Sequence, residues 1–332
     1  MLKVVIVLGG SSPERFVSFD SGIAVGKALT ELKYDVVYVD PATKNGVLSE
    51  TDLSDVKNID YYSETDPEHV HCLVQHMYMI KETIDPDLVF IALHGGYGED
   101  GFIQDIMDRI HIKYTGSGAI SSKIAMNKFY AKQVMQQNGV SVLPSRCVRS
   151  LNESLNDIKG TIGFPAIVKP NHGGSSVALT VVEEEKMLKS AVKKAFEVDS
   201  EVLIEPYIVG REITVTILDG NAYPIIEIKP THELYDYECK YTSGMSEYIV
   251  PAHISKPLTE TIQSHALKAY QGLGLDVYAR IDFLLKEDGT FYCLEANTLP
   301  GMTSTSLVPK SVKAEGMSFN QLIQTLITLS TN

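Results

Sequence analysis

The chain opens with a continuous apolar run, Lys3 to Leu8, which reads as a strand buried on both faces. It passes through Gly9-Gly10-Ser11-Ser12 into a segment whose apolar positions Val17, Ala24, Val25, Ala28 and Leu32 recur at helical spacing. A second strand, Asp35 to Val39, follows. Another apolar run, Leu88 to Leu93, ends at His94-Gly95-Gly96-Tyr97-Gly98, with Glu99-Asp100 where a helix should begin. This β-loop-α-β opening predicts a parallel α/β layer over roughly the first hundred residues.

From about residue 118 the pattern changes. Two helical stretches run to Asn138-Gly139, a helix-ending pair, and short strands then alternate with one long helix, Glu183 to Phe196. Beyond Glu205 come further strands, a polar aromatic stretch from His232 to Tyr248, a helix around Leu258 to Gly272, and the strand pair Tyr278 to Leu285 and Phe291 to Asn297. There is no internal repeat or low-complexity segment.

Length and charge narrow the class. At 332 residues the chain has room for two or three domains. Hydrophobic residues make up 44% and charged residues 21%, and no apolar run approaches the roughly 18 residues of a membrane span, so a soluble protein is expected. With 29 basic against 42 acidic residues and no basic cluster beyond Lys193-Lys194, nucleic acid and anionic membrane are poor partners. A small anion such as a nucleotide stays open, because such a site needs only a few placed cations and backbone amides. Cys72, Cys147, Cys239 and Cys293 form no C-x-x-C pair, which points to reduced thiols and a cytoplasmic chain. The apolar stretch Val4 to Leu8 is too short for a secretion signal.

The common nucleotide motifs fail. Gly26-Lys27-Ala28 lacks the hydroxyl and leading glycine of a P-loop, and Gly116-Ser117-Gly118 lacks the third glycine of a dinucleotide fingerprint. No G-x-S-x-G or H-E-x-x-H occurs. His69, His71, Cys72 and His76 lie close enough to suggest zinc but lack the usual ligand spacing, so a polar, partly exposed helix is the preferred reading.

The most informative stretch runs from Tyr278 to Asn297. Asp288-Gly289 predicts a two-residue hairpin turn, and counting outward sets Asp282 opposite Glu295 and Arg280 opposite Asn297. Alternation then puts all four on one face, with Ile281, Phe283 and Leu294 packing the other. Two carboxylates beside an amide oxygen make a hard oxygen cluster suited to Mg²⁺ and substrate phosphates; the alternative is a solvated face with an arginine–carboxylate pair. The next residues, Thr298 to Ser306, bring glycine and hydroxyls that can meet an oxyanion. A second cluster, Ile167 to Ser176, ends a strand at Lys169 and enters a Gly/Ser loop; it reads as a phosphate flap or as an ordinary turn with a surface lysine. Glu201 to Ile208 reads as a strand ending at a carboxylate, an edge suited to adenine and ribose.

These blocks together resemble the D-alanine:D-alanine ligases of the ATP-grasp superfamily, over nearly the whole chain. The resemblance runs through Gly9 to Ser18, His94 to Gln104, Tyr114 to Gly118, Lys169 to Ser176, Gly210-Arg211-Glu212, Tyr235 to Tyr241, Ala279 to Asp282 and Leu294 to Thr303. It implies a three-domain α/β ATP-grasp fold, with an N-terminal parallel α/β domain over residues 1–117, a central subdomain over 118–205 and a C-terminal one over 206–332. ATP and two Mg²⁺ ions, with Mn²⁺ as a substitute, are the implied cofactors. Lys128 and Lys169 match phosphate-binding lysines, Glu205 and Ile208 the adenine edge, and Glu212 the ribose contact. Ser176, Tyr207 and Lys240 also fall among the nucleotide contacts. Asp282, Glu295 and Asn297 match the metal ligands. Glu14 matches the carboxylate that receives the first D-alanine's ammonium, Ser306 and Leu307 the second D-alanine's pocket, and Arg280 with the Gly301 amide the oxyanion site. Ser175 and Tyr241 match a link from Glu14 to a loop that shuts over the site, with Lys240 beside it.

The chain departs from the family pattern at Gly173, where relatives often carry glutamate, and at Ala178, where glycine is usual. It departs again at Asn127, where aspartate is common, and at Pro206, where some relatives place lysine. The expected activity is ligation of two D-alanines through a D-alanyl phosphate for peptidoglycan synthesis, in a cytoplasmic homodimer. Alternatives are a ligase using D-serine, D-lactate or another acceptor, and a nucleotide-binding regulator without turnover.

Overall fold

The computed structural model describes residues 2–173, 178–230 and 245–331. Its first sheet has the order β3-β2-β1-β4, from β1 (Lys3–Val7), β2 (Asp35–Val39), β3 (Val47–Leu48) and β4 (Leu88–Ile91). β1, apolar from Val4 to Val7, sits between β2 and β4 and pairs parallel with both, so those four residues are fully covered. Helix α1 (Arg15–Glu31) follows the glycine turn, as the apolar spacing predicts. Gly9, at φ +77°, lies against the Asp40 carboxylate, where a side chain's Cβ would meet the carboxyl carbon at 2.7 Å. The acidic pair Glu99-Asp100 falls between a short turn, Gly96–Glu99, and helix α2 (Phe102–Arg109), whose first amide donates to Asp100.

The second sheet is antiparallel, in the order β5-β8-β6-β7, from β5 (Arg146–Val148), β6 (Ala166–Pro170), β7 (Thr180–Val182) and β8 (Val202–Pro206). Helix α3 (Glu185–Ala195) lays Leu188, Ala191, Val192 and Ala195 on it. The third sheet runs β12-β11-β9-β13-β14, with β10 on the end of β9. Its strands are β9 (Arg211–Leu218), β10 (Asn221–Ala222), β11 (Ile226–Pro230), β12 (Ser246–Ile249), β13 (Tyr278–Leu285) and β14 (Phe291–Asn297). One face packs on α4 (Lys128–Gln137) and α5 (Lys256–Gly272) through Ile213, Val215, Ile217, Ile281 and Phe283. The opposite face carries Glu212, Thr214, Arg280 and Asp282.

The β13–β14 register is Arg280 opposite Asn297 and Asp282 opposite Glu295, yet the turn is not the two-residue one expected. Lys286 donates its amide to Thr290, so three residues lie between the closing pair, with Gly289 left-handed at φ +85° and Asp288 accepting from the Thr290 amide. The extra turn residue shifts the pairing by one through Phe283 and Cys293, and a bulge at Leu294 shifts it back. Leu294 is consequently half-buried instead of sharing the packed face with Ile281 and Phe283.

The two last helices, α6 (Leu307–Ala314) and α7 (Phe319–Thr331), return to the first sheet. Val308, Val312, Leu322, Ile323, Leu326 and Ile327 share one core with Val4 to Leu8. Among the described residues no helix is long and apolar enough to cross a membrane.

Candidate active site

Three structural corners converge on the open face of β13 and β14. On that face Asp282 is gripped through both oxygens by Arg280, at 3.0 Å each, and also accepts from Thr214 at 2.6 Å and from the Asn297 amide at 2.9 Å. Glu295 is met by Lys128, 3.3 Å away, from the start of α4. Asp282, Glu295 and Asn297 thus present hard oxygens on one half-buried face with cations alongside. Two carboxylates and an amide fit a divalent cation that takes its remaining oxygens from substrate phosphates and water.

Helix α4 places its lysines one turn apart. Lys128 reaches Glu295 and donates to the Gly173 carbonyl, while Lys132 points into the interior, 2.7 Å from Glu205. Glu205, at the end of β8, takes Lys169 of β6 on its other oxygen at 2.8 Å. Burial opposes the charge on Lys169, yet Glu205, Glu295 and Glu212 outweigh it and hold the ammonium above its ordinary pKa. Burial also works against the Glu205 carboxylate, and the two lysines overcome it and hold its pKa down. Lys132 was not singled out from sequence; its signal is the four-residue helical step from Lys128. Tyr207 and Ile208 continue from β8 half-buried, and the Tyr207 amide donates to Pro165.

Asn127 caps α4 by accepting from the Tyr130 amide at 3.0 Å, as an aspartate would. Its Nδ2 also donates to Glu201 at 3.3 Å, where an aspartate would set two carboxylates together. Ala178 stands at φ +56°, in the left-handed region that glycine adopts without strain.

The third corner lies on the first domain. Glu14, buried at the start of α1, sits under Gly95, where a Cβ would lie 2.6 Å from its Oε2. Ser12 donates to the His94 carbonyl and accepts from the Glu14 amide. The His94 ring lies 3.1 Å from Ser21 and 3.7 Å from Glu99, and Ser21 accepts from the Met302 amide at 3.2 Å. His94 and Ser21 therefore tie the first domain to the Gly301 turn, a link not singled out from sequence. Ser306 caps that turn, accepting from the Thr303 amide at 3.0 Å, and Leu307 packs beside Ile226 and Ile228. Ser175, Ser176, Lys240 and Tyr241 lie outside the described residues.

Of the residues weighed as zinc ligands, Cys72 donates to the Thr43 carbonyl and lies 3.5 Å from the His76 ring, His76 faces the Pro41 carbonyl, and His69 stacks on Tyr97. Among the described residues no three His, Cys, Asp or Glu side chains converge to hold a metal.

Residues 3–117 match the family described as the D-ala D-ala ligase N-terminus, and residues 133–328 the D-ala D-ala ligase C-terminus. The chain is 39% identical to the D-alanine–D-alanine ligase of Halalkalibacterium halodurans over 99% of both chains. It is 38% identical to that of Aquifex aeolicus over 98% of this chain and all of the other. Among solved structures, the D-alanine–D-alanine ligase of Bacillus anthracis complexed with ATP aligns with TM-score 0.79 and 32% identity, covering 99% of this chain and 97% of that one. The VanG D-Ala:D-Ser ligase of Enterococcus faecalis aligns with TM-score 0.83 and 30% identity over 99% of each.

Proposed function

The chain belongs to the D-alanine–D-alanine ligase family, and we propose that the three corners described above are the working parts of one ligation site. It is an ATP-dependent D-alanine–D-alanine ligase of the three-domain ATP-grasp fold. The observation that carries the site reading is the face on which Arg280, Asp282, Glu295 and Asn297 stand together, with Lys128 against Glu295. In this reading residues 1–117 hold the first D-alanine, and 118–205 and 206–332 clamp ATP between their sheets.

Glu14 holds the ammonium of the first D-alanine and aims its carboxylate at ATP. A carboxylate is a poor acyl donor, so its oxygen first attacks the γ-phosphorus, the bond to ADP breaks, and D-alanyl phosphate forms. Lys128 and Lys169 offset the phosphate charge, while Glu205, Tyr207, Ile208 and Glu212 frame the base and ribose. Asp282, Glu295 and Asn297 would hold Mg²⁺, which when bound would offset further charge on the transferring phosphoryl group. The neutral amine of the second D-alanine, seated at Ser306 and Leu307, attacks the carbonyl. Arg280 and the Gly301 amide stabilise the tetrahedral oxyanion; phosphate leaves and the amine loses its proton. Ser175 and Tyr241 belong in this reading to the link from Glu14 to a loop that shuts the site against water, and Ser176 and Lys240 to the nucleotide contacts.

We place the enzyme in the cytoplasm as a homodimer serving peptidoglycan synthesis. The unbridged Cys72, Cys147 and Cys293 support the compartment. Phosphate release from ATP, measured with a panel of D- and L-amino acids and with products weighed by mass spectrometry, tests the reading. Release that depends on D-alanine and yields the dipeptide is expected; ATP binding without amino-acid-dependent release would overturn it.

A further inference from the structure

We propose that Lys132 is a positioning residue for nucleotide binding: by occupying one oxygen of buried Glu205, it leaves Lys169, on the other oxygen, with positive charge to spare for the phosphates. The inference rests on the reading that Lys169 faces those phosphates. Lys132 is only 2% exposed and Glu205 1%, against 15% for Lys169, so Lys132 acts through Glu205 rather than by touching a ligand.

The charge count makes the case. Lys169 alone already gives Glu205 a counter-charge, so charge pairing does not require a second buried ammonium. Burial pushes the Lys132 ammonium down from its ordinary pKa, so the protein bears a cost to keep it there. What it gains is a triad of net charge +1 in place of a neutral pair. The excess matters because Glu212 and Glu295 also act on Lys169 through space. The competing explanation is a brace between sheets, since Lys132 also lies 3.5 Å from the Cys293 carbonyl on β14.

Calorimetric titration of the full-length enzyme with ATP, ADP, AMP and adenosine separates the two. Lys132→Met should weaken ATP by about 10- to 100-fold, as expected for one elementary charge lost near a partly buried anion, and AMP by less. Adenosine, which carries no phosphate, should stay within about threefold, less than half a decade in the same arithmetic. Lys132→Arg, which keeps a cation against Glu205, should recover at least half of the lost ATP affinity on a logarithmic scale. An equal loss for adenosine, an unchanged ATP affinity, or an arginine variant no better than the methionine one would each overturn the proposal. Should Lys132→Met fail to fold, Lys132→Gln takes its place: a loss confined to the phosphorylated ligands supports the charge account, and an unchanged ATP affinity rejects it. Lys169→Met is the control for the underlying reading. If it leaves ATP affinity untouched, the phosphates lie elsewhere and the site assignment fails first.

Discussion

Two buried ion clusters of the protein use charge differently. In the first domain Arg15 meets Asp40 at 2.6 Å, with side chains 2% and 0% exposed. Arg15 also donates to the Gly10 carbonyl and lies over the rings of Phe19 and Tyr61, while Asp40 accepts from the Gly10 and Ala42 amides. One charge answers one charge, and the pair pins the glycine turn that leads into α1. Between the second and third sheets, Lys132, Glu205 and Lys169 are as closely packed but set two lysines against one carboxylate. Burial does not separate a structural ion cluster from a functional one; the balance of charge does.

The largest effect that sharpens this contrast is expected at Glu295, on the functional side. Glu295→Gln should lower turnover by about four decades, roughly 5 kcal/mol at about 1.36 kcal/mol per decade, while the melting temperature hardly moves. Near-normal turnover at saturating Mg²⁺ would make the hairpin face architectural. On the structural side, Arg15→Met strands the Asp40 carboxylate and should reduce stability by about 3 to 5 kcal/mol in urea unfolding, most of it restored by a further Asp40→Leu change. A loss of turnover at unchanged stability would instead move Arg15 into the site. Its neighbour Glu14 is assigned to substrate, so Glu14→Gln should weaken the first amino acid by about 1.5 to 3 kcal/mol and ATP hardly at all. Separate titrations of the two ligands check this, and equal losses would dissolve the distinction between residues 14 and 15. The smallest effect is at Ala178, where Gly relieves a left-handed alanine. Relief of about 1 to 2 kcal/mol of strain, less the added freedom of the unfolded chain, leaves a gain of about 0.5 to 1 kcal/mol. No gain on thermal unfolding would mean that Ala178 is not strained.

The first domain and the shared face of β13 and β14 were legible because their signals are local: an unbroken apolar strand, a glycine turn, and alternation outward from Asp288-Gly289. Even so, the hairpin register came out right through two offsetting differences. The turn holds three residues, and Leu294 bulges to absorb the third. Turn chemistry is visible from neighbours in sequence; a bulge answers to what the far ends of the strands must reach. Lys132 escaped notice because lysine is rarely buried, and only the three-dimensional meeting of α4 with β8 reveals its partner. The His94–Ser21–Met302 link was hidden for a related reason, joining residues more than two hundred positions apart.

The return of α6 and α7 to the first sheet bears on how the chain is made. A ribosome releases β1 to β4 first, but their core also needs Val308, Val312, Leu322, Ile323, Leu326 and Ile327. The N-terminal domain of a nascent chain therefore emerges with an uncovered apolar flank and cannot complete its packing until residues 307–331 have been made. Chains cut short before residue 307 should be handed to chaperones and proteases, so that the cell accumulates the enzyme entire or hardly at all.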